Sequence, residues 1–163
     1  MRNRMVVALV LAVALVFPSG AFAGKPVREV RPSPPDETVT ACGFPVLIHS
    51  EGRTIRKTWY DDDGNPVRAI ETYPGFKSVL TNLLTREQIV LAIVGPAKIE
   101  FGADGSETIT GAGPWSWYPT NPVTEEPGIF LIRGRLTFTI DAEGNFSFEH
   151  LAGQIDDLCP ALA

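Results

Sequence analysis

The residues able to do chemistry are few. His49 and His150 are the chain's two histidines, and imidazole is the side chain whose charge changes near neutral pH. His150 follows Phe146 and Phe148 at two-residue spacing, which on a strand puts it on their face and points it inward. An inward histidine near a buried acid would serve as a general base or ligand anchor, the requirement of an isomerase or cyclase type of enzyme. A strand-end histidine that faces water or bonds to backbone is the plainer reading. His49 closes an apolar run before Ser50-Glu51-Gly52 and reads as a turn residue.

A second candidate is Trp115-Ser116-Trp117-Tyr118, set between Gly113-Pro114 and Pro119 and followed by a long loop from Thr120 to Gly128. Trp115 and Trp117 share one strand face and Tyr118 takes the other. Such an aromatic wall suits an apolar or sugar ring. Ordinary core packing by large aromatics is the alternative. Phe130, Phe138, Phe146 and Phe148, together with Ile132, would line the interior behind this wall.

Asp61-Asp62-Asp63-Gly64-Asn65 resembles a calcium loop only superficially. The first liganding position falls on Trp59 and the last on Ile70, so it is not an EF-hand. No other metal spacing, Walker, Gly-x-Gly-x-x-Gly or Gly-x-Ser-x-Gly pattern occurs, and no cofactor is expected. Cys42 and Cys159 are the two cysteines. Without a Cys-x-x-Cys arrangement or a clustered histidine they read as one structural disulfide near the two ends of the folded region.

The elements that must position these groups are strands. Three Asp- and Gly-bearing turns, at 61–65, 103–105 and 141–145, separate strand-like runs. Phe130, Ile132, Leu136, Phe138 and Ile140 alternate with Arg133, Arg135, Thr137 and Thr139. Pairing Asp141 with Asn145 sets Ile140 opposite Phe146, Phe138 opposite Phe148 and Leu136 opposite His150, so that the apolar faces coincide. Gly134 falls at an inward position and marks a bend or bulge. The first hairpin joins Thr54–Tyr60 to Pro66–Tyr73 with Trp59 facing Val67. The middle one joins Ala97–Phe101 to Ser106–Thr110 with Ile99 facing Ile109. The run Ile89–Val94 is apolar on both sides and rich in β-branched residues, and reads as a central strand, with a short helix over Thr85–Leu91 as the alternative. The pattern predicts an all-β fold: an antiparallel meander of about eight or nine strands, closed into a barrel rather than folded as a sandwich, since closure removes exposed edges.

The ends of the chain speak to its compartment. Arg2 and Arg4 precede an apolar run of 13 residues, Met5 to Phe17, and Ala21-Phe22-Ala23 supplies a small-x-small cleavage site. Residues 1–23 are expected to be a secretory signal peptide, since a membrane span needs about 20 apolar residues. Residues 24–40 hold Pro26, Pro32, Pro34 and Pro35 and read as a flexible leader, locally basic at Lys25, Arg28 and Arg31. Residues 41–163 would form a single β domain. Cleavage after Ala23 leaves 140 residues with a net charge of −7, because the removed segment holds two of the 14 basic residues and none of the 19 acidic ones. That balance argues against nucleic acid as a partner. The mature chain has no second long apolar run, so no integral membrane segment is expected in it.

The signal peptide, the start Cys42-Gly43-Phe44-Pro45-Val46, the turn Asp62-Asp63-Gly64-Asn65-Pro66-Val67 and the late Asp157-Leu158-Cys159 together resemble small secreted actinobacterial proteins. That resemblance implies export but no activity. In architecture the meander looks like the barrels of lipocalins and of the allene oxide cyclase and dirigent group. No motif of those families falls on this sequence, so none of their residue roles carries over. The expectation is a secreted, non-enzymatic barrel that binds a small apolar ligand, with the isomerase or cyclase reading at His150 second. A cell-envelope interaction module using the basic leader is third.

Overall fold

A computed structural model describes residues 24–163; the expected signal peptide lies outside the described residues. The strands are β1 (Val27–Pro32), β2 (Glu37–Val39), β3 (Val46–Glu51), β4 (Arg53–Tyr60), β5 (Pro66–Thr72), β6 (Lys77–Asn82), β7 (Gln88–Ala92), β8 (Ala97–Phe101), β9 (Glu107–Ala112), β10 (Trp115–Trp117), β11 (Phe130–Ile140) and β12 (Phe146–Asp157). One helical turn follows, α1 (Cys159–Leu162). The fold is all-β and antiparallel, as expected.

The strands divide between two sheets. The larger runs β1-β4-β5-β8-β9-β11, with β12 on the far side of β11. The 11 residues of β11 leave room for β9 and β10 to share its other side, one pairing with 135–140 and the other with 130–132. The smaller sheet is β2-β3-β6-β7. Neither sheet closes, and the expected barrel is corrected to two open sheets. A barrel needs its first and last strands to pair; here β1 bonds only to β4 and β12 only to β11.

The turn chemistry comes out as predicted. Asp61 Oδ1 accepts the backbone N–H groups of Asp63 and Asn65, Asp141 Oδ1 accepts that of Asn145, and Asp104 Oδ1 accepts that of Ser106. The Ser106 hydroxyl donated to Asp104, the Asn145 side-chain amide donated to Asp141 and these backbone bonds hold the three carboxyls below the usual aspartate range, and each locks a hairpin. Ile140 stands opposite Phe146, Phe138 opposite Phe148, and Ile99 opposite Ile109. Two registers differ from expectation because a β-bulge intervenes. Trp59 faces Arg68 instead of Val67, and Leu136 faces Leu151 instead of His150.

Residues 24–40 do not remain a free leader. Val27, Arg28, Glu29, Val30 and Arg31 pair along β4, and Glu37–Val39 pairs with β3. Proline disfavours a central strand because it lacks a donor, but an edge strand needs donors on one side only, and β1 and β2 are both edges. The run 89–94 is likewise an edge rather than a centre: Leu91 and Ile93 point inward, while Val90 and Val94 stay more than half exposed.

Two apolar clusters result. One joins Val46, Ile48, Leu80 and Leu91 of the smaller sheet to Leu131 of β11 and to Leu162 of α1. The other gathers Ile132, Leu136 and Phe138 with Trp115, Trp117, Phe148 and Ile155 on one face of the larger sheet. Gly134 sits opposite Gly153 in that sheet. A Cβ on Gly153 would lie 1.8 Å from the Arg133 carbonyl oxygen, so only glycine permits this approach of β12 to β11. Gly153→Ala is expected to destabilise the protein by about 1–3 kcal/mol through forced separation of the strands. The check is a urea titration, in which an unchanged midpoint would refute the packing argument.

Candidate functional site: an aromatic groove beside β10

The site is built on β10, which exists because Gly113 and Pro114 end β9 and let the chain re-enter the sheet beside the start of β11. Trp117 pairs with Phe130 and Trp115 with Ile132. Period-2 alternation then directs both indoles onto the Leu136 face and Tyr118 to the other side, as expected.

The two tryptophans nevertheless part company. Trp117 is ringed edge-on by Phe138, Phe146 and Phe148, at centroid distances of 5.2, 6.0 and 6.1 Å, and Phe146 stacks on Phe138 at 5.9 Å. Trp115 lies over Gly111, where no Cβ could fit beneath the indole, and meets Tyr73 edge-on at 5.7 Å. Its Nε1 is buried with no hydrogen-bond partner. Phe130 is buried under the Gly128 backbone. Of the six aromatic residues expected at the ligand site, the two tryptophans at its mouth and the four phenylalanines behind them, Trp117, Phe138, Phe146 and Phe148 come together, Trp115 meets Tyr73 instead, and Phe130 is core.

Beside Trp117 a groove of about 450 Å³ opens, lined by Ser116, Trp117, Tyr118, Pro119, Thr120 and Phe146. Its apolar wall is the Phe146 ring, 64% exposed. The polar side is fixed by local bonds. Tyr118 donates its hydroxyl to Glu37 at 3.1 Å, and burial with the adjacent Glu37 carboxylate pushes the phenol up to about 12, so it stays a neutral donor. The Tyr118–Pro119 peptide is cis. The loop that follows is tied down by Gly128 N–H to Pro119 O, by Asn121 Oδ1 accepting from Val123 and Thr124, and by a bridge between Thr120 and Pro127. The groove thus has fixed walls on both sides.

His150 does not join this site. The bulge beside Phe138 turns it to the opposite face, where it stands against Thr137 and is exposed. The expected inward histidine is corrected, and the isomerase reading loses its anchor. His49 is not at a turn but within β3, where Nδ1 lies 2.6 Å from Asp36 Oδ1; that contact holds its pKa above the ordinary imidazole value. The two histidines lie in different sheets. Among the described residues, no three His, Cys, Asp or Glu side chains come together as a metal site requires, and no helix is long and apolar enough to cross a membrane.

Sequence reasoning missed the charged groups on the Leu136 face. Arg56 approaches Glu71 at 3.6 Å and Glu107 at 3.7 Å, lies over the Phe101 ring at 5.3 Å, and shares Glu71 with Arg31 and the Tyr73 hydroxyl. The 61–65 turn would have put Arg56 and Glu71 opposite each other, had the bulge beside Trp59 been readable. The arrangement ties β1, β4, β5 and β9 together, and every carboxylate in it already faces a cation. Compared with known protein families, curated proteins and solved structures, the chain matches none.

Proposed function

We propose that the chain is exported with loss of residues 1–23 and acts outside the cytoplasm as a non-enzymatic binder of a small apolar ring compound. The ligand is held in the groove between Trp117 and Phe146. One observation carries this reading: an aromatic ring as large as Phe146 is left 64% exposed on a groove whose opposite wall is fixed by the Tyr118–Glu37 bond and the pinned loop. An exposed apolar wall with convergent polar groups is the ordinary make-up of a small-molecule site. The Cys42–Cys159 disulfide fits an oxidising compartment. The ligand sits at the rim of an open sheet rather than in a barrel interior.

The test uses protein collected from the growth medium of its own cells, expected to begin at Gly24, and titrated with uncharged N-phenyl-1-naphthylamine. Probe emission is expected to rise and saturate at one equivalent. Trp117→Ala and Phe146→Ser are each expected to weaken binding about tenfold, the loss of one aromatic contact. Phe146 is exposed, so its variant is expected to fold even if Trp117→Ala does not. Absence of saturable binding, or a Phe146→Ser variant that binds as well as the native protein, would refute the reading.

A further inference from the structure

The face of the larger sheet opposite Leu136 carries a different chemistry. Cross-strand pairing places Arg28, Lys57, Ile70, Lys98, Thr110 and Thr137 in one unbroken row across β1, β4, β5, β8, β9 and β11. At a strand spacing of about 4.8 Å this row spans roughly 24 Å. It contains no carboxylate. Arg28 and Lys57 stand directly opposite each other, a like-charge pairing that costs stability and that sheet packing alone gives no reason to keep. Arg68 and Arg135 flank the row on the same face.

Lys98 is held by Glu100 at 2.8 Å, and the other cations of this face that flank or form the row are unpaired: among the described residues, Arg28, Lys57, Arg68 and Arg135 have no carboxylate within ion-pair distance. The carboxylates of this face are already engaged, Glu100 by Lys98, Glu149 by the Thr139 hydroxyl and Asp156 by Arg133. Two shallow grooves run between the cations. One, of about 220 Å³, is lined by Pro26, Ile55, Lys57, Trp59, Ile70 and Thr72. The other, of about 430 Å³, includes Ile70, Lys98, Thr110 and Arg135. Ile70, 40% exposed, belongs to both.

We infer that this face binds a linear acidic polysaccharide laid across the strands. Its carboxylates would pair with Arg28, Lys57 and Arg135, a ring face would rest on Ile70, and its hydroxyls would meet Thr72, Thr110 and Thr137. Charge complementarity selects an anionic chain, since unpaired cations are gathered on one face of a domain that is −7 overall. Sugar is favoured over nucleic acid on the aromatic content of the face. Single-stranded nucleic acid needs successive aromatic platforms, whereas the one indole here is already covered by the Arg68 guanidinium at 4.5 Å.

The experiment is calorimetric titration of the disulfide-bonded protein with polygalacturonate, neutral dextran and a single-stranded oligothymidylate. Polygalacturonate is expected to bind, to weaken with added salt, and to bind at least tenfold more weakly to Lys57→Gln/Arg135→Gln. Lys77→Gln, in the smaller sheet, is expected to leave binding unchanged, as is Phe146→Ser, which separates this surface from the aromatic groove. Lys57, Lys77 and Arg135 are all exposed, which permits both charge variants to fold, and their melting curves verify it. No binding to polygalacturonate at low salt, equal or tighter binding of the oligonucleotide, or an equal loss in Lys77→Gln would overturn the inference.

Discussion

Replacing both cysteines of the Cys42–Cys159 bridge with serine is expected to lower the unfolding free energy by about 4–5 kcal/mol. The bridge closes a chain separation of 117 residues, with the two Cα atoms 5.3 Å apart. In the chain-entropy account, a loop of this length is restricted mainly in the unfolded state, so its loss is felt through that state. The structure adds a local consequence. Cys42 precedes β3 and packs on the cluster of the smaller sheet, and Cys159 opens α1, whose Leu162 is fully buried in the same cluster. Without the bridge, α1 is expected to loosen before the sheets do. Urea unfolding of the double serine variant measures the global cost. Hydrogen exchange at the Ala161 amide, bonded to the Leu158 carbonyl, reads the local one. A midpoint within error of the native protein's would contradict the entropic argument.

Asn82→Ala is expected to cost about 3 kcal/mol, an unusually large penalty for one polar side chain. Asn82 is 2% exposed. Its Nδ2 donates to the Leu162 carbonyl at 2.7 Å, and its Oδ1 accepts from the amides of Leu84, at 2.8 Å, and Thr85. One side chain therefore closes the turn between β6 and β7 and docks the C-terminal helical turn against the smaller sheet. Alanine would leave the Leu162 carbonyl buried and unpaired, which costs more than the net value of the lost bond. Thermal and urea unfolding check the magnitude. In combination with the cysteine variants, the losses are expected to fall short of additive, because both changes release α1. Strict additivity would show that the bridge and Asn82 act on separate elements.

Local chemistry was the most legible part of the sequence. Asp61, Asp104 and Asp141 form turns as read, because an Asx side chain bonds to amides within its own few residues and needs no distant partner. The pairing of Ile140 with Phe146 followed from one such turn. The aromatic groove was legible in half: alternation identifies which residues of β10 share a face, but not which neighbours they meet. Trp115 turned to Tyr73 because Gly111 leaves a hollow beneath it, and that hollow is made by another strand. His150 was misplaced by the single extra residue of the bulge beside Phe138, which in a period of two reverses the face of everything beyond it. The charged row across the larger sheet could not be read at all, since its members come from six strands.

The sequence by itself determined the all-β class, the three Asp-bearing hairpins, the alternation of β11 and the one possible disulfide. These rest on backbone conformation and near-neighbour side chains, whose free energies are settled over a few residues. The tertiary structure alone decided that the sheets stay open, that Val27–Pro32 and Glu37–Val39 become edge strands, and that Trp117 and Phe146 face a groove while cations collect on the opposite face. Strand order and bulge position depend on which surfaces bury each other across the whole chain. Alternating sequence is equally compatible with a closed ring and with two open sheets, so only the complete set of contacts distinguishes them.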